Sequence, residues 1–189
     1  MYLEKYVHPY VDLWASSLVI RCSFAQRVDS EEEISLYFNS PGGNLKPSLA
    51  VLDVLTHLTT PVRTINMGFT SGMSALICAA GTKGRRFVLP HSQFFMQTPR
   101  TNGEISGSVS DIQQAHAQFR NDTTRAFALL SRFTGKPYEI VWEDFRRGFY
   151  LDAAQSLQYG LSDHIMLAPN IKERIDRDAD QLKVTYGTS

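Results

Sequence analysis

GFTSGMSALICAAG, residues 68–81, places a glycine and several small residues between a β-like run and an apolar stretch. VRTINMG, which leads into it from Val62, is rich in β-formers, and Met73 to Ala80 is apolar at lengths that suit a helix. The reading is a strand, a tight small-residue turn and a buried helix. Many hydrolases mount a serine nucleophile on such a turn, because it lifts a side chain clear of the sheet. Two serines are available, Ser71 and Ser74, with Gly72 and Met73 between them.

Upstream, ISLYFNS alternates β-formers and polar residues before breaking at SPGG. KPSLAVLDVLTHL then sets Leu49, Leu52 or Val51, Leu55 and Leu58 at helical spacing, with Pro47 tolerated in the first turn and Pro61 as the stop. Strand, helix and strand in that order describe a parallel crossover unit. The NSPGG turn, Asn39 to Gly43, also follows a strand and precedes a helix, so the N–H groups of Gly42 and Gly43 are placed to receive a negative oxygen. Two such turns on adjacent parallel strands converge at the strands' carboxyl ends.

Downstream, TKGRR reads as a turn, and FVLP and SQFFMQTP as short extended pieces. PRTNGEISGS is polar and contains glycine. Asp111 to Phe133 carries Ile112, Ala115, Phe119, Ala126, Leu130 and Phe133 at intervals of three, four or seven, which predicts one long helix with a single apolar stripe. A further helix is expected over Pro137 to Phe145. Asp152 is placed to cap a short helix that Gly160 stops, and HIMLA is the last strand. At the two ends, Trp14 to Gln26 reads as a helix running into the acidic VDSEEE, and KERIDRDADQLKVTYGTS as a solvated helix or frayed end.

At 189 residues the chain fits one domain. Nineteen basic and nineteen acidic residues balance, so net charge draws the chain neither to nucleic acid nor to an anionic membrane. Cys22 and Cys78 lack metal-ligand spacing and read as core residues of a reducing compartment. No apolar run reaches the roughly 20 residues that span a bilayer, and MYLEKYVHPYVDLW lacks a secretory pattern. The basic clusters GTKGRRF and DFRRGF are expected to form salt bridges between subunits or solvated turns. No metal and no cofactor is expected.

YFNSPGG, AVLDVLTHL, TINMG, MSALICAAGTKGRRFVLPHSQ, SDIQQA, the FTGK turn and LQYGLSDHI together resemble, in order and nearly in spacing, segments of the Clp peptidase family. The resemblance covers about Ile34 to Ile165, with a two-residue insertion in RTNGEIS. It implies a ClpP/crotonase-like α/β fold over a single domain, residues 1–189. Parallel strands layer with helices, a strand-helix handle projects over about residues 100–135, and a charged tail covers about 170–189.

Active members of that family carry a Ser-His-Asp triad, the serine immediately before a Met. In this sequence the matching positions hold Gly72, Gln97 and Gly148. A glycine supplies no nucleophile, and a glutamine cannot take up and return a proton near neutral pH. The family's oxyanion and substrate-cradle positions fall on Gly42, Gly43 and Met73. The resemblance therefore implies a non-catalytic, ClpR-like subunit of a hetero-oligomeric Clp core. Such a subunit would complete stacked seven-membered rings with catalytic and non-catalytic siblings, work with an AAA+ unfoldase on protein substrates, and reside in a plastid stroma or cyanobacterial cytoplasm.

Two enzyme readings stand beside it. One is a serine peptidase using Ser71 or Ser74, with His91 as the base to test; this needs a base within about 3.2 Å of the hydroxyl. His57 and His116 read as helix-face residues, and Asp144 and Asp152 flank the empty acid position. The other is a crotonase-like acyl-thioester enzyme using the two turns without a nucleophile.

Overall fold

The computed structural model describes residues 33–99 and 106–167, together with the backbone of residues 5–7. In chain order the elements are β1 (Lys5–Val7), β2 (Ile34–Ser40), α1 (Leu45–His57), β3 (Val62–Ser71), α2 (Gly72–Ala79), β4 (Arg86–Val88), β5 (Gln93–Met96), α3 (Val109–Thr134), α4 (Tyr138–Arg147), β6 (Phe149–Leu151), α5 (Ala153–Tyr159) and β7 (His164–Ile165). The expected helix over Trp14–Gln26, the handle's strand with its insertion, and the charged tail lie outside the described residues.

The strands form one sheet in the order β1-β2-β3-β4-β7, with β5 on β3 and β6 on β5. Every pairing is parallel except β5 with β6. This is the mixed, mostly parallel α/β architecture that the alternation of strand and helix predicts. On β2 the side chains alternate as a half-buried strand requires: Ile34, Leu36 and Phe38 are buried, and Ser35 and Tyr37 partly exposed. α1 turns Leu45, Ser48, Val51, Leu52 and Leu55 inward at spacings of three and four. From Met73 to Ala79, α2 is buried all round, as a helix sandwiched within a core must be. Cys78 is part of that core, and burial pushes its thiol up to about 12, where it is a packing group and not a nucleophile.

β3 changes partners along its length. Thr64 to Asn66 pair with β4, while Phe69 to Ser71 pair with β5. On its other edge the register slips, since Phe38 faces Asn66 but Ser40 faces Thr70, so β3 carries two residues more than β2 over the same span. Asn66, fully buried, fills the gap this creates. Its Oδ1 accepts from Gly68 N (3.1 Å) and from Thr70 Oγ1 (2.9 Å), and its Nδ2 donates to Gln93 O (3.1 Å). Asn39 completes the staple, its Oδ1 accepting from Phe69 N at 3.1 Å. An added Cβ on Gly68 would stand 2.9 Å from that same oxygen and would push the Asn39 carboxamide off its bond to Phe69.

Where the sequence offers a basic cluster, the structure places ion pairs inside the chain. Arg86 is 4% exposed and makes a two-pronged contact with Asp163, Nε to Oδ2 at 2.9 Å and Nη2 to Oδ1 at 2.5 Å. Its Nη1 donates to the carbonyls of Gly160 (2.8 Å), Phe133 (3.1 Å) and Ala79 (3.3 Å), the C-terminal ends of three helices. Arg85 and Arg63 both pair with Glu33, and Arg146 and Arg147 with Glu143. The arginines of both clusters thus have counter-charges within the chain, while Arg85, Arg146 and Arg147 remain largely solvent-exposed.

α3 runs from a capping box, in which Ser108 and Asp111 satisfy each other's N–H groups, to Gly135 in the left-handed region. Its apolar stripe is divided. Ala126 and Leu130 are buried against their own domain and Phe133 packs at its margin, whereas Ile112 is 42% exposed and its neighbour Val109 73%. The single stripe that the spacing predicts is therefore buried by its own domain over its C-terminal part and exposed near its start. The β6 strand, absent from the sequence reading, forms because Phe149–Leu151 finds β5 as a partner. Asp152 and Gly160 cap α5 as expected.

Burial raises the Asp163 carboxyl, but the hydrogen bond and charge of Arg86, with the N–H groups of Arg86 and Gly84, outweigh this and hold it below the usual carboxylate range. A depressed folded-state value stabilises above the unfolded value, near 3.9, and that contribution is lost as pH falls through the folded one. Urea titrations should show stability declining below about pH 4 in the natural chain, with a shallower decline in Asp163→Asn. Arg86→Ala should cost about 3–5 kcal/mol at pH 7, since it leaves Asp163 without its countercharge.

Candidate active-site cleft

At the end of β3 the chain turns sharply into α2. Ser71 is extended (φ −133°, ψ 155°) and Gly72 takes φ +52°, a left-handed conformation that a glycine adopts without strain. This is the geometry in which hydrolases hold a nucleophile, and a Cβ added to Gly72 would meet no atom within 4 Å. The turn points into a cleft of about 210 Å³ lined by Pro41, Gly42, Gly43, Gly72, Met73, Gln97, Thr98 and Pro99. The structure thus gathers Gly42, Gly43, Gly72, Met73 and Gln97 around one space. No side chain caps α2, so the Met73 N–H lacks an intrahelical acceptor. The Gly42 N–H, in contrast, is taken by Ser40 Oγ at 3.3 Å.

Neither flanking serine is free to react. Ser71 is 1% exposed and donates to Pro41 O at 2.9 Å. Ser74 is fully buried and donates to Ser40 Oγ at 3.0 Å, which in turn donates to Gly42 O at 3.2 Å. These hydroxyls tie the elbow to the NSPGG turn. Gln97 reaches Ser71 from the other side, Nε2 to Oγ at 3.5 Å, as a donor. Among the described residues no imidazole bonds either serine. His91 and His116 lie at the surface, His57 turns back to Asp53 O (2.6 Å), and His164 lies against Phe87. Asp144 accepts from the Tyr159 hydroxyl at 3.0 Å, and Asp152 caps α5. The Tyr159 hydroxyl is raised above its ordinary range by burial first and by Asp144 second.

Gly148 ends α4 with φ 70° and ψ 129°, a combination closed to residues with a Cβ. A Cβ there would lie 3.7 Å from Met96 O and 3.8 Å from the Phe95 ring, so the position adjoins the strand that leads to Gln97. Sequence reasoning missed Asn66, Asn39 and Ser40, which fix where the elbow sits. The visible signal was an asparagine inside an otherwise apolar strand, TINMG.

A curled, mostly parallel sheet layered with helices, and a cleft where two glycine turns meet, make this a mixed α/β protein of crossover type. A family model described as Clp protease matches residues 6–169. Over 143 residues the chain is 36% identical to the ATP-dependent Clp protease proteolytic subunit 1 of Mycobacterium bovis and of two strains of Mycobacterium tuberculosis, covering 76% of this chain and 70% of each relative. The chain belongs to the Clp protease family.

Because Asn66 satisfies three buried groups, Asn66→Ala should lower stability by about 3 kcal/mol or more in denaturant titration. Ser74→Ala, which removes one hydroxyl bond to Ser40, should cost only about 1 kcal/mol.

Proposed function

We propose that this chain is a non-catalytic, ClpR-like subunit of a hetero-oligomeric Clp protease core. The observation that carries the reading is the elbow itself, which has nucleophile geometry and a glycine, Gly72, at its apex. Two further observations support it. Gln97, which lines the same cleft, has no nitrogen able to shuttle a proton, and it donates to Ser71 where a general base would accept. Gly148 holds a backbone conformation that would strain any acid placed there. Triad members act as a unit, and loss of the nucleophile or base alone costs on the order of a million-fold.

On this reading the chain completes a ring with catalytic siblings, and its cleft faces polypeptide in the chamber without cutting it. The exposed Val109 and Ile112 on α3 supply apolar area for a neighbouring subunit. A plastid stroma or cyanobacterial cytoplasm is the compartment that goes with a ClpR-like role.

A fluorophosphonate should leave the purified chain unmodified by intact mass, and native mass spectrometry of the complex should show Clp subunits of other masses alongside it. Stoichiometric labelling, or an active homo-oligomer, sinks the reading. Gly72→Ser alone should stay unlabelled, because the restored hydroxyl would still lack a base.

A further inference from the structure

We draw no further inference here: the strongest candidate, the aromatic surface patch of α4, where Trp142 is 37% exposed, stacks on Tyr138 and meets the Phe127 ring edge-on, carries none because nothing in the structure shows what covers it.

Discussion

The carboxamide of Asn66 is the interaction on which the rest of the site depends. A strand that serves two partners in succession must leave backbone groups unpaired where one partner ends and the next begins. In β3 that gap lies between the β4 pairing at Asn66 and the β5 pairing at Phe69. One fully buried side chain fills it, accepting from Gly68 and Thr70 and donating to Gln93. The backbone carbonyl of the same residue accepts from Leu89 N and Ser92 Oγ, which fixes the loop between β4 and β5. The elbow at Gly72 and the approach of Gln97 are both downstream of this arrangement.

Around the elbow, polar side chains have become structural. Ser40, Ser71 and Ser74 form short bonds between the two glycine turns, and each is nearly inaccessible. A hydroxyl in such a network is locked as a donor, so proximity to the turn does not confer reactivity. Backbone conformation matters at the end of α4 as well. Gly148 takes a torsion pair that only glycine holds comfortably, beside a phenylalanine ring. The Clp fold thus surrounds a cleft whose hydroxyls are held in bonds between its own two turns.

Much of the architecture was legible in the sequence. The β2-α1-β3 crossover, the buried α2, the long α3 and the caps at Asp152 and Gly160 all follow from periodicity and from residues with narrow conformational roles. The cleft was legible too, because SPGG and TSGM mark two strand-to-helix turns. What the sequence did not disclose depends on contacts between distant residues. The β6 strand has no strong pattern of its own and exists through β5. Arg86 reads as one more charge in GTKGRR, and only the fold brings Asp163 and three helix ends to it. The division of α3's stripe into a buried and an exposed half depends on how far the domain extends along the helix, which spacing alone does not encode.

The cap at the start of α3 has a consequence for assembly kinetics. Because Ser108 and Asp111 close the helix end on themselves, the turns bearing Val109 and Ile112 are already formed before any neighbour arrives. A subunit that docked on that surface would require no coil-to-helix transition, and little ordering entropy would oppose the encounter.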